Sequence, residues 1–238
     1  MTTGDKLIRP GLALSDGDMT AHPGATSSAV SPDVIPAVIP AVIPAVIPAV
    51  ILAGGRATRM GGGDKGLLRF GDGTVMDAVI DRLRPQVGGI AINANGDAAR
   101  FSRLNLPVLA DTLPGQPGPL AGVLAAMLWA QAQGAAHVVT VPADTPFLPR
   151  DLVARLHLAA RTAPIAIATS GGQAHPTCAL WPVSLAADLR RALDTGQRRV
   201  MAFVTHHGVG EADFAAGPPD PFFNINTPAD LALAEGWL

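Results

Sequence analysis

The chain has 238 residues, enough for one domain with a substantial core. A net charge of −2, with 17 Lys+Arg against 19 Asp+Glu, excludes a broad nucleic-acid surface. The single cysteine, Cys178, excludes an internal disulfide and a cysteine-built zinc site, and fits a reducing cytoplasm.

Residues 1–33 are polar and lack periodicity, so they read as a disordered tail. No basic segment followed by an apolar core and a cleavage site stands near Met1, so no signal peptide is expected. Residues 34–53 are apolar throughout, but Pro36, Pro40, Pro44 and Pro48 recur at every fourth position. Each proline removes a helix hydrogen bond, and an unpaired extended chain cannot cross hydrocarbon. No membrane span is therefore expected. The Pro-Ala-Val-Ile repeat reads as an extended leader over 34–47, ahead of one α/β domain over 48–238.

At Ala49 to Ala53 a strand-like run stops abruptly at Gly54-Gly55. Glycines there let backbone approach a ligand, and their N–H groups can face anionic oxygens. Arg59 and Lys65 add the positive charge that a polyphosphate needs. The loop is no Walker A motif, because Lys65 follows Asp64 and precedes Gly66, and it is no dinucleotide fingerprint. By itself it is equally compatible with a glycine-rich turn carrying solvated charges.

Downstream, Thr74 caps a helix over Val75 to Arg84, and Ile90 to Asn95 forms a strand. Pro107 to Ala110 is a strand ending at Asp111, and Leu120 to Gln133 a helix closed by Gly134. His137 to Val141 is a strand leading into Pro142-Ala143-Asp144-Thr145-Pro146, and Pro149 starts a helix to about Ala160. Ile165 to Thr169 and Thr177 to Trp181 are strands, and Ser184 caps a helix to Leu193. Phe222 to Ile225 is a late strand, followed by Thr227-Pro228 as N-cap and first residue of a terminal helix. Cys178 alternates within an apolar run and reads as core, and His175 before Pro176 reads as a strand-entry residue without a catalytic role.

Strands alternating with helices imply a mostly parallel sheet covered on both faces, a Rossmann-like three-layer α/β/α fold. Ligands in such sheets bind beyond the carboxyl ends of strands, where the glycine loop, Asn93, Asp111 and Asp144 all fall. Each aspartate alone reads first as a turn former, since Asp-Thr and Asp-x-Pro suit turns. Two carboxylates converging near Lys65 and Arg59 point to Mg²⁺, which takes one or two carboxylates plus phosphate. Asn93 offers amide donors and acceptors to a base or ribose, or serves as a turn residue. Gly118 and Gly122 open a helix whose N-terminus faces an anion, or else allow tight packing.

The pattern Leu52-Ala53-Gly54-Gly55 … Arg59-Met60-Gly61 … Lys65, continued by Gly66-Leu67-Leu68, resembles the signature of the molybdenum cofactor guanylyltransferase (MobA-like) family. Ile92-Asn93-Ala94-Asn95, Pro142 to Phe147, His175-Pro176-Thr177, Arg198-Arg199-Val200-Met201 and Asn224 to Pro228 resemble further family segments, in order, across 48–238. Gly63, the prolines after Asp111 and the N-terminal extension depart from the pattern.

The resemblance implies a nucleotidyltransferase that moves GMP from GTP to molybdopterin and releases pyrophosphate. It implies Lys65, Arg59 and Asp144 as catalytic residues. It implies GTP binding by Leu52, Ala53, Gly54, Gly55, Lys65, Asn93, Asp111 and Asp144, with Mg²⁺ or Mn²⁺ on Asp144 and a second place at Asp111. Molybdopterin binding would fall to Gly62, Gly118, Gly122, Arg198, Arg199, Asn224 and Asn226. The implied partners are these small molecules, with transient contact to molybdopterin-delivering proteins and molybdoenzyme apo-proteins. A cytidylyl- or other NTP transferase of the same fold, and a GTP-binding module without transfer activity, remain the alternatives.

Overall fold

The computed structural model describes residues 47–54, 64–113 and 118–238. The tail over 1–33, nearly all of the leader, and Gly55, Arg59 and Gly62 lie outside the described residues. Ile47, assigned to the leader by composition, is 5% exposed and its carbonyl accepts from Gly88 N, so the core takes in the end of the repeat.

Among the described residues seven strands form one sheet: β1 (Ala49–Leu52), β4 (Ile90–Asn93), β5 (Val108–Leu109), β6 (His137–Pro142), β7 (Ile165–Ser170), β8 (Gln173–Pro182) and β9 (Val209–Phe214). A small antiparallel pair, β2 (Arg69–Phe70) and β3 (Gly73–Thr74), stands apart. The sheet order is β5-β4-β1-β6-β8-β7-β9. All neighbours are parallel except β8, which is antiparallel to β6 and β7. The chain winds outward from β1 to β4 and β5, then returns to set β6 on the other edge of β1. That reversal opens a crevice beyond the carboxyl ends of β1, β4 and β6.

Alternating side chains supply the two sides of the core, because successive strand residues point to opposite faces. Ala49, Ile51, Ile92, Val139 and Val141 pack on α1 (Val75–Leu83) and α3 (Leu152–Ala159). Val50, Ala91, Val138 and Trp181 pack on α2 (Pro119–Ala132), α4 (Ala186–Asp194) and α5 (Val200–His207). The expected three layers are present. A third cluster, around Phe70, Phe147, Ile225 and Trp237, seats α6 (Pro228–Glu235) against the β2–β3 pair. Among the described residues no helix is long and apolar enough to cross a membrane.

Several sequence expectations need correction. Phe222 to Ile225 is not a strand. Asp220 takes the Phe222 N–H on its carboxylate and the Phe223 N–H on its carbonyl, which turns the backbone away from any ladder. Ser184 caps nothing: it lies in a single 3-10 turn, Val183–Leu185, and α4 begins at Ala186 without a side-chain cap. The helix α5 and strand β9 were not foreseen. Strand β8 is longer than expected and carries Pro176 inside it, where the β7 register shifts between Ile167 and Ala168. A proline lacks a ladder donor, and an irregularity of this kind is where a sheet tolerates one.

Thr74 behaves as read. It accepts from Asp77 N, while Asp77 accepts from Thr74 N at 2.8 Å, a reciprocal capping box. Burial pulls the Asp77 carboxyl up, but hydrogen bonds from Arg103 and Thr74 hold it below its usual value. A depressed carboxyl contributes stability that is present above the unfolded value, about 4, and is lost as pH falls through the folded one. Thr74→Ala is expected to cost about 1 kcal/mol at neutral pH in denaturant unfolding. The Asp77→Asn variant should show a shallower loss of stability on acidification than the parent.

Candidate active site

The carboxyl ends of β1, β4, β5 and β6 bring together four parts of the chain. Leu52 closes β1, Asn93 closes β4, and Asp111 and Asp144 each follow their strand by two residues. Ala53 N donates to Asn93 O at 2.8 Å and Ala143 N to Leu52 O at 3.1 Å, so pairing of β1 extends to the rim on both sides. Gly54 lies exposed just beyond.

Lys65 re-enters the site from the far end of the glycine loop. Its Nζ lies 3.3 Å from Asp144 Oδ2 and 2.5 Å from Asn226 Oδ1. Gly66 makes this approach feasible: a Cβ there would come within 2.7 Å of Met76 Cε and 3.2 Å of Ala143 Cβ. Burial pushes the Asp144 carboxyl up, against the Lys65 ammonium that pulls it down. Asp144 is therefore an anion kept short of water, a site that favours an added cation.

On the β4–β5 side a closed network forms. Asn93 Nδ2 donates to Asp111 Oδ1 at 3.0 Å and to Leu109 O at 3.1 Å. Asn95 Nδ2 donates to Asp111 Oδ2 at 2.7 Å, and its own Oδ1 accepts from Asp111 N at 2.9 Å. Both carboxylate oxygens of Asp111 are thus held by amides, each with a lone pair to spare. Asn95 was not assigned from sequence, although it stands two residues from Asn93 in the segment quoted. Arg100 was also missed: it donates to the Asp64 carboxylate and to the carbonyls of Asn95 and Asp97, tying the glycine loop's end to the β4 loop.

The opposite rim is a strap, Asp220 to Asn226, laid across the sheet's end. Ile225 N donates to Asp144 O at 2.9 Å, and Thr145 Oγ1 donates to Asn224 Oδ1 at 2.7 Å. The capping box of Thr227 and Asp230 stops the strap and holds Asn226 N.

The other candidates divide. Gly118 is the N-cap of α2, at φ 130°, a conformation that favours glycine. Pro119 opens this 14-residue helix without an N–H and Ala121 N donates to Gly118 O at 3.3 Å, so what the helix start offers an anion is chiefly the positive end of its dipole. Gly122 is buried, and a Cβ there would collide with Asn93 Oδ1 and lie 3.0 Å from Leu52 Cδ2. Gly122→Ala is expected to cost about 1–3 kcal/mol by overpacking and, by displacing Asn93, to weaken nucleotide affinity. Unfolding and titration on the same preparation check both. Arg198 Nη1 donates to the carbonyls of Leu193 and Gln197, which uses it at the end of α4. Arg199 is exposed and stands as the N-cap of α5. Cys178 is 1% exposed, and burial followed by the Asp144 charge pushes its thiol up, so it is inert core.

Comparison with known proteins gives the family. The family description "MobA-like NTP transferase domain" matches residues 49–209. A molybdenum cofactor guanylyltransferase of Rhodopseudomonas palustris is 54% identical over 78% of this chain and 89% of its own length. One from Mesorhizobium japonicum is 53% identical over 77% of this chain and 91% of its own. Among solved structures, molybdopterin-guanine dinucleotide biosynthesis protein A of Archaeoglobus fulgidus superimposes with TM-score 0.62 at 22% identity, covering 80% of this chain and 97% of that one. With Gly54, Lys65 and the strand-end aspartates on one edge of the sheet, and that identity across the core, this chain belongs to the MobA-like NTP transferase family and is a nucleotidyltransferase.

Proposed function

We propose that this chain transfers GMP from GTP to molybdopterin, as a molybdenum cofactor guanylyltransferase. The observation that carries the reading is the placement of the Lys65–Asp144 pair between an Asn-Asn-Asp network and an asparagine strap. One rim suits a nucleotide base, the other an acceptor, and the charged pair lies where phosphates would meet. The roughly half-identical relatives carrying that name support it.

The acceptor's nucleophile is a phosphate monoester with a second pKa of about 6, so it is largely ionised at neutral pH and needs no general base. Its oxygen attacks the α-phosphorus of GTP, the bond to the bridging oxygen breaks, and pyrophosphate leaves. The obstacle is bringing anions together. Lys65 neutralises charge gathering on the triphosphate, and the positive end of the α2 dipole favours the acceptor's anionic side. Arg59 and Gly55 are proposed for the same phosphates from the glycine loop, and Gly62 for the molybdopterin side.

Among the described residues no three His, Cys, Asp or Glu side chains cluster to cage a metal. Asp144 as a single half-buried carboxylate fits Mg²⁺, which usually completes its shell with phosphate oxygens and water. Mg²⁺ held there would supply charge neutralisation at the phosphates, and Mn²⁺ suits the same oxygen donors. The chain is proposed to act in the cytoplasm on these small molecules, meeting molybdopterin-delivering proteins and molybdoenzyme apo-proteins transiently.

Base choice follows from Asp111. Guanine presents N1–H and N2–H donors to a carboxylate, whereas adenine presents an acceptor at N1. Adenine would set its N1 lone pair against the Asp111 carboxylate and leave the carboxylate's spare lone pairs without a donor, and discrimination of this kind reaches about 10⁴. Pyrophosphate release is to be measured with GTP, CTP and ATP, with and without molybdopterin. Release that needs both GTP and molybdopterin is expected. Equal turnover of CTP would move the assignment to a cytidylyltransferase, and tight GTP binding without product to a binding module.

A further inference from the structure

A buried serine stands where the strap begins. Ser170 ends β7 and is 2% exposed. Its Oγ lies 3.1 and 3.3 Å from the two Asp220 carboxylate oxygens and 2.9 Å from His175 Nε2. A hydroxyl has one proton to donate and lone pairs to accept. The proton goes to the carboxylate, so Ser170 accepts from His175, whose Nε2 carries hydrogen. Donation runs from His175 through Ser170 to Asp220. This order differs from a nucleophilic triad, in which histidine stands between serine and carboxylate.

The end of this chain of bonds is the strap. Asp220 Oδ1 accepts from Phe222 N at 2.7 Å, and the His175 ring stacks on Phe222 at 4.5 Å between centroids. Phe222 is 3% exposed and meets Phe214 edge-on. The strap has no ladder, so its path depends on two anchors. One is the Asp144 and Thr145 contact described above. The other is this cluster, which is remote in function from phosphate chemistry yet shares the segment that presents Asn226 to Lys65.

We propose that His175, acting through Ser170 and Asp220, is a positioning residue for the acceptor: it sets the strap so that Asn224 and Asn226 meet molybdopterin. The proposal rests on the guanylyltransferase reading. Its distinct content is that loosening this anchor harms acceptor use and spares GTP.

The test uses full-length Ser170→Ala, His175→Phe and His175→Gln. Phenylalanine keeps the stacking ring and loses the donor. Glutamine loses the ring and carries an N–H near the position of Nε2. Hydrogen exchange at 220–226, GTP affinity by calorimetry with Mg²⁺, and steady-state kinetics are measured on each. Ser170→Ala and His175→Phe are expected to exchange faster at the strap and to raise the KM for molybdopterin about tenfold, with GTP affinity and kcat little changed. His175→Gln should recover most of the loss. Unchanged strap exchange overturns the proposal, as does GTP affinity falling in step with acceptor KM, or glutamine doing no better than phenylalanine. If the wild-type enzyme does not use molybdopterin, the functional reading fails first, and strap exchange still decides whether His175 anchors the segment.

Discussion

Asp144→Asn is expected to abolish transfer at ordinary Mg²⁺, a loss of at least about a hundredfold, without unfolding the protein. The substitution keeps shape and removes one charge from a half-buried acid of the site. Activity should return in part at high Mg²⁺ or with Mn²⁺, because the amide oxygen remains a weaker oxygen donor. Stability is expected to move the other way. The Asp144 carboxyl is raised by burial in spite of Lys65, so its ionised form is disfavoured in the folded state. The folded protein then binds that proton more tightly than the unfolded chain does. Wild-type stability therefore falls as pH rises from the unfolded value toward the raised folded one. The asparagine variant lacks that fall, and its nucleotide-free unfolding midpoint at neutral pH should equal or exceed that of the parent. A variant that is both inactive and markedly less stable would make Asp144 a structural residue. Asp111→Asn should behave differently, with smaller activity loss, unchanged metal dependence and weaker discrimination against ATP. Interchanged metal profiles for the two variants would reverse the role assignment.

Lys65→Ala should lower turnover about a hundredfold, close to 3 kcal/mol of transition-state stabilisation. The geometry sharpens this expectation. Without nucleotide the ammonium bridges Asp144 and Asn226, so it joins the phosphate centre to the acceptor strap. Removing it leaves the buried Asp144 carboxylate unpaired and the Asn226 amide oxygen without its donor. Both GTP affinity and kcat should therefore fall. Lys65→Arg should restore little, since a planar guanidinium replaces a compact ammonium within a contact already 2.5 Å long. Wild-type kinetics in Lys65→Ala would reduce this residue to a solvated loop charge.

Much of the scaffold was legible in local chemistry. Strand β1 ended at its glycines, Thr74 and Thr227 capped their helices with an aspartate three residues on, and Pro228 sat at the first helical position. These signals concern residues close in sequence. Apolar alternation and turn chemistry act over a few residues and need no partner. The alternation of strands and helices also placed Asn93, Asp111 and Asp144 on one edge, as the parallel sheet requires.

What stayed hidden depended on distant partners. Helix α5 begins at Val200, after Arg199 as an N-cap without a side-chain bond, and contains Val200, Val204 and Thr205, which are poor helix formers. It forms because Val200, Phe203 and Val204 are buried against the sheet. Strand β9 alternates, but through small residues such as Gly210 and Ala212 that carry a weak signal until β7 supplies a ladder. The strap from Asp220 read as a strand because Phe222, Phe223 and Ile225 have strand character. The Asp220 carboxylate and the rim of β6 decided otherwise. The sequence by itself determined the layered sheet and the acids at its edge, since periodicity and caps are local. Tertiary structure alone decided that Lys65 spans Asp144 and Asn226, that two asparagines hold Asp111, and that Gly122 makes room for Asn93. Each of these joins residues far apart along the chain, and a contact of that kind has no local pattern to announce it.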